Sequence, residues 1–153
     1  MRVDVRTLRG GAVPTEASVG PDDAAFRGLD LQLVGPVEVT GSLQTAGSGT
    51  YRWVGRVRGA VKGECARCLA EVVTRFDTPA EAQYTTSPET ADDPGVYLLP
   101  EPVGVIDLTD AVREEVALAA PEALAGLGGS ALRYRHGVLR SGCGPCAAPR
   151  PAS

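Results

Sequence analysis

Two long runs with period-two patterning dominate this chain, and they limit what it can fold into. In residues 51–65 (YRWVGRVRGAVKGEC), Tyr51, Trp53, Val57, Val61 and Cys65 fall on one parity, and Arg52, Arg56, Arg58 and Lys62 on the other, with Val54 and Ala60 between them. Successive side chains of a strand point to opposite faces, so this is one strand with an apolar and a basic face. After ARCLA, residues 71–84 (EVVTRFDTPAEAQY) place Val72, Thr74, Phe76, Ala80, Ala82 and Tyr84 on a second apolar face. Two such runs joined by a short connection predict an antiparallel hairpin with Cys65 and Cys68 at its tip. Pro79 assigns the second strand to an edge or a bulge, and Gly55, Gly59 and Gly63 predict bulges or bending in the first.

Around this hairpin the signals are shorter. Residues 10–25 read as a loop within a loose or partly ordered N-terminal segment, 1–25. LDLQLV (29–34) alternates until Gly35-Pro36 breaks it, and VEVTGSLQ (37–44) follows before a Gly/Ser turn at 46–50. Residues 86–104 form an acidic, Pro-rich loop with a short strand at VYLL. IDLTDAVREEVALAAPE (106–122) predicts one main helix near 108–120, with Asp107 as its N-cap and Pro121 as its stop. Leu108, Val112 and Val116 lie four apart on it, widened by Ala111 and Ala119. Glu114 and Glu115 fall opposite that stripe. The expected fold is α+β: an antiparallel meander of about four to six strands, its cysteine hairpin central, packed with one helix. A single domain of 153 residues is expected, with a folded core over 26–122 and a basic, Pro/Gly-rich, Cys-containing tail over 123–153.

Charge is segregated along the chain although the net value is only −4. Residues 51–76 carry 6 basic and 2 acidic side chains, residues 77–122 carry 1 and 11, and residues 123–153 carry 4 arginines and no acid. Two readings of this segregation stand open. The basic strand face (Arg52, Arg56, Arg58, Lys62, with Arg67 nearby) is a candidate RNA-phosphate surface, or it pairs with part of the acidic block.

The four cysteines form two Cys-x-x-Cys pairs, Cys65/Cys68 and Cys143/Cys146, separated by 74 residues. Each pair can reach one ion, and four thiolates satisfy tetrahedral zinc. A fold without metal, with Cys65 facing the core, is the alternative. Redox use fits poorly, because a catalytic dithiol opens a helix after a strand and this pair joins two strands. No glycine-rich phosphate loop, serine-nucleophile turn or His-rich metal motif occurs. His136 is the single histidine, so the expectation is a protein that is not an enzyme and has no small-molecule substrate. The chain has no apolar run of membrane-span length and no apolar leader, so a cytoplasmic protein without a membrane partner is expected. In that compartment paired thiols stay reduced.

Together, WVGRVRGAVKGECARCLAEVVTRFD, the acidic spacer and IDLTDAVREEVALAAPE resemble the bacterial YceD family of large-ribosomal-RNA accumulation proteins. The resemblance covers residues 51–122 well and 29–50 loosely. It implies a non-enzymatic ribosome-biogenesis factor that supports 23S rRNA accumulation or processing, or early 50S assembly. Its partner would be 23S rRNA or a pre-50S particle. Cys65 and Cys68 match the family's first cysteine pair. The end, RSGCGPCAAPRPAS, departs from the richer cysteine cluster of many members. A zinc-stabilised module that binds a basic ribosomal protein or an assembly factor through the acidic segment is the alternative.

Overall fold

A computed structural model of the chain describes residues 1–64, 69–89 and 91–125. In chain order the strands are β1 (Arg2–Asp4), β2 (Val13–Val19), β3 (Gln32–Leu33), β4 (Val37–Gly47), β5 (Thr50–Glu64), β6 (Glu71–Thr85), β7 (Val96–Leu98) and β8 (Val105–Asp107). Helix α1 (Thr109–Ala125) follows, and 3-10 turns cover Val5–Gly10 and Ala24–Phe26. The predicted hairpin is the spine of the molecule. β5 and β6 pair antiparallel without a register break, from Thr50 opposite Thr85 to Glu64 opposite Glu71.

The main sheet runs β2-β4-β5-β6-β7, and β3 also pairs with β5. It is mostly β with one main helix, as the α+β expectation requires, but it is not a pure antiparallel meander. β7 runs parallel to β6, pairing Gln83 with Val96 and Thr85 with Leu98. Parallel neighbours need a crossover instead of a tight turn, and the acidic excursion supplies it. The segment expected as a loop over 10–25 contains β2, which pairs with β4 from Val13 opposite Leu43 to Val19 opposite Val37. Its inward residues, Val13, Thr15, Ala17 and Val19, do alternate, but they are small and Pro14 interrupts the propensity signal. The strand expected over 29–34 contracts to β3, Gln32–Leu33.

The apolar faces read from sequence meet in one core. Trp53, Val57 and Val61 of β5 pack with Val37, Val39 and Leu43 of β4 and with Phe76, Ala80, Ala82 and Tyr84 of β6, all buried. α1 covers them with Leu108 just before its first turn, then Ala111, Val112, Val116 and Ala120. Aromatics are few, yet the one tryptophan and both phenylalanines are buried.

The opening of α1 follows its prediction with a shift of one residue. The Val112 N–H donates to the Leu108 carbonyl, while the Asp107 carboxylate accepts from the Thr109 N–H at 3.0 Å. Pro121 does not stop the helix, which continues to Ala125. A proline removes the bond to the carbonyl four residues back, and here the helical backbone runs on despite that loss. β1 and β8 form a separate two-stranded sheet that ties the chain start to the helix start.

Candidate functional site

The outer face of the β5–β6 hairpin collects the basic residues singled out in the sequence. Arg52, Arg56, Arg58 and Lys62 occupy alternate positions whose neighbours Trp53, Val57 and Val61 are buried, so the arginines must face solvent. Each meets an acid on β6. The Arg52 Nε lies 2.6 Å from Glu81 Oε1, and Lys62 Nζ lies 2.7 Å from Glu71 Oε2. Asp77 takes two arginines, Arg56 at 2.8 Å and Arg58 at 3.2 Å. The hydrogen bond from Arg52 holds the Glu81 carboxyl below its usual range, and the Arg52 guanidinium moves upward in return.

Glu38 of β4 stands opposite Arg58, and its carboxylate accepts from Ser18 Oγ at 2.7 Å. On this face Arg52, Arg56, Arg58, Lys62 and Arg75 therefore alternate with Glu16, Glu38, Glu64, Glu71, Asp77 and Glu81. The result is a mosaic of both signs. Reading β5 alone gives a basic stripe. Of the two readings left open, pairing with acids is the one seen, through odd positions 71, 77 and 81 of β6, the last two in the acidic block. The hairpin register sets them opposite 64, 58 and 54, within side-chain reach of Lys62, Arg56 and Arg58, and Arg52. Such exposed pairs contribute little stability, on the order of 0–1 kcal/mol each.

Gly55 and Gly59 do not bulge β5. The irregularity lies in β4, between Thr45 and Gly47. Instead they clear space for rings. A Cβ on Gly55 would come within 2.6 Å of Trp53 Cζ2, and one on Gly59 within 2.5 Å of Phe76 Cζ. The Trp53 ring is thereby laid along the inner face, where its Nε1 donates to Thr15 Oγ1 at 2.8 Å.

The acidic segment has its own surface. Tyr97 of β7 stacks on Tyr84 with ring centroids 5.2 Å apart, and its hydroxyl donates to Glu114 Oε2 at 2.7 Å. Glu114, exposed and off the apolar stripe as expected, is thus engaged with β7 through Tyr97. Glu115 is half-buried, and desolvation reinforced by Glu114 raises its pKa. Burial, with Tyr97, Asp107, Asp110 and Glu114 nearby, also raises the Tyr84 hydroxyl. An open depression of about 610 Å³ lies at the β4–β5 turn, lined by Ser48, Gly49, Tyr51, Thr86, Glu101, Pro102 and Val103.

Arg67 and all four candidate zinc ligands, Cys65, Cys68, Cys143 and Cys146, lie outside the described residues. What the structure places is the frame of the first pair: β5 ends at Glu64 opposite Glu71, so Cys65 and Cys68 belong to the connection that joins two fixed strand ends. The donor chemistry of that pair suits a soft or borderline metal. Among the described residues no group of three or more His, Cys, Asp or Glu side chains could hold a metal ion. No described helix is long and apolar enough to cross a membrane.

No curated protein and no solved structure matches the chain. Residues 54–125 match the family described as large ribosomal RNA subunit accumulation protein YceD. The matched stretch begins within β5 and includes β6, the acidic excursion and the whole of α1. It contains the hairpin face except Arg52, the connection that carries Cys65 and Cys68 in sequence, and the Tyr97–Glu114 contact described above. Over residues 54–125, just under half of its length, the chain is thus similar to the YceD family, whose name refers to accumulation of the large-subunit ribosomal RNA.

Proposed function

We propose that this chain is a non-enzymatic factor in ribosome biogenesis that supports 23S rRNA accumulation, acting in processing or in early assembly of the 50S subunit. The observation that carries this reading is the family match across the hairpin, the acidic excursion and the helix. Its partner is 23S rRNA or a pre-50S particle. Zinc held by Cys65, Cys68, Cys143 and Cys146 belongs to the same proposal, as a tetrathiolate that would tie the tail to the hairpin and perform no catalysis.

The test is sedimentation of cell extract, with and without the gene. The expected result is co-migration with pre-50S material and a fall in 23S rRNA on deletion. A protein that never co-migrates, with 23S rRNA unchanged by its loss, overturns the proposal.

A second reading draws support from the outer face. Because Arg52, Arg56, Arg58 and Lys62 are each paired with an acid, the face offers little net positive charge to a polyanion. The acidic segment 77–122, with 11 acids against one arginine, is the more strongly charged surface. It would attract a basic ribosomal protein or assembly factor. Cross-linking separates the two routes: RNA adducts on the hairpin favour direct contact, and protein adducts within 86–122 favour a protein partner. If arginines touch RNA directly, R56A/R58A lowers the salt dependence of RNA binding by roughly two phosphate contacts.

A further inference from the structure

The β6 strand has one side fully paired and the other largely open. β5 pairs with all of Glu71–Thr85, whereas β7 pairs only with Gln83–Thr85 on the opposite side. Among the described residues no strand pairs with 71–82 along that side. The backbone direction there follows from two bonds. The Gln83 N–H donates to the Gly95 carbonyl, and the Thr85 carbonyl accepts from the Leu99 N–H. Backbone groups alternate sides along a strand, so the N–H and C=O of Glu71, Val73, Arg75 and Asp77 point to the open side. Pro79 falls in this same series, and its missing N–H ends the usable edge at 78. What remains is a run of seven residues, 71–77, ready for another strand.

The side chains of that run identify the occupant. We propose that two copies of this chain pair antiparallel through β6, about a two-fold axis at Val73. Glu71 then stands opposite Arg75 of the partner subunit, twice by symmetry, and Val73 meets Val73 of the partner subunit. Val73 is 48% exposed, a large apolar side chain at the centre of a charged run. Within its own sheet Glu71 stands in register with Glu64, a like charge, and Arg75 with Ala60, which carries none. Lys62 reaches the Glu71 carboxylate diagonally at 2.7 Å, so the partner strand adds a cation directly opposite Glu71 and gives Arg75 an acid across the ladder.

Other registers fail on the same side chains. A centre at Thr74 sets Glu71 against Asp77, and a centre at Arg75 sets that arginine against itself. A centre at Phe76 sets Glu71 against Glu81 and Val73 against Pro79, where the ladder breaks. Opposite charges directly across a ladder attract and like charges repel. The isologous contact is closed, so pairing ends at a dimer.

Sedimentation velocity of the full reduced chain tests this. The expected result is a reversible monomer–dimer equilibrium. E71R alone and R75E alone should each weaken it by about tenfold or more. A mixture of the two variants should form a mixed dimer more tightly than either forms with itself, because both positions then hold opposite charges, one pair as in the native dimer and one reversed. V73P removes an outward N–H without touching the β5 ladder, so it should leave a folded monomer. A chain that stays monomeric at every concentration overturns the proposal, as does a dimer whose strength ignores the charge reversals. Should V73P fail to fold, the mixed charge variants decide alone.

Discussion

Asp107 joins the last strand to the helix, and its surroundings make its charge part of the fold. One oxygen accepts from the Thr109 N–H and lies 3.2 Å from the Met1 ammonium, and the other accepts from Arg2 Nε at 3.0 Å. Partial burial pushes the carboxyl up, but hydrogen bonds from the Thr109 hydroxyl, Arg2, the Thr109 N–H and the ammonium outweigh it, so the group titrates well below the usual carboxylate range. A depressed folded pKa stabilises fully above the unfolded value of about 3.9, and that stability drains away as pH falls towards the folded value. D107N keeps an acceptor oxygen for the helix start and loses the charge, so it should cost roughly 0.3–1 kcal/mol at neutral pH through the weakened ion pairs and dipole contact. The deficit should shrink as pH drops below about 4. Urea denaturation of both proteins across that range checks it; a deficit independent of pH contradicts the assignment. The helix-start role of Asp107 was legible because an acid before a periodic apolar run is a local signal. The bond from Trp53 to Thr15 was not, since it joins positions 38 apart.

At the scale of elements, the hairpin combines a legible pattern with an illegible partnership. Its inward face was readable because burial of one sheet face imposes strict alternation. Gly55 and Gly59 of β5 were misread, because sequence alone does not reveal that the Trp53 and Phe76 rings lie against them. Small residues here are a packing requirement. Gly59 stands in register with Phe76, whose ring occupies the space a Cβ would fill. G59A should destabilise by about 1–3 kcal/mol through overpacking, more than the roughly 0.5–1 kcal/mol an alanine would gain in backbone entropy. The double variant G59A/F76L should cost less than the sum of the single changes, because the smaller side chain vacates the contested space. Additive costs in denaturant melts would show that the ring is not the obstacle. The ion pairs of the outer face belong to this scale too. They required the register, which pairs Arg58 with Asp77 and shifts the other contacts by two residues.

At the scale of the whole molecule, the proposed function, the zinc site and the dimer make separable demands. Elemental analysis of reduced protein should find about one zinc per chain, with C65S or C143S lowering it. Metal-free protein with four freely titratable thiols contradicts the site while leaving the ribosomal reading intact. The dimer uses neither the cysteines nor the acidic excursion, so loss of metal and loss of dimerisation should not track each other. The expected helix and all of the hairpin but the start of β5 lie within the family-matched stretch. The added strand β2 and the parallel β7 stand at the two ends of the sheet, β7 inside the matched stretch and β2 outside it.

By itself the sequence determined which segments alternate, which side of β5 and β6 turns inward, where the helix begins and which family the central stretch resembles. These follow from short-range periodicity, which burial of one face makes compulsory. Only the tertiary structure decided that the basic stripe is answered by β6 acids, that residues 13–19 close one edge, and that β7 returns parallel. It also left one side of β6 open. Those outcomes depend on register and on contacts between residues far apart in the chain, where a single residue of slip would exchange the two faces.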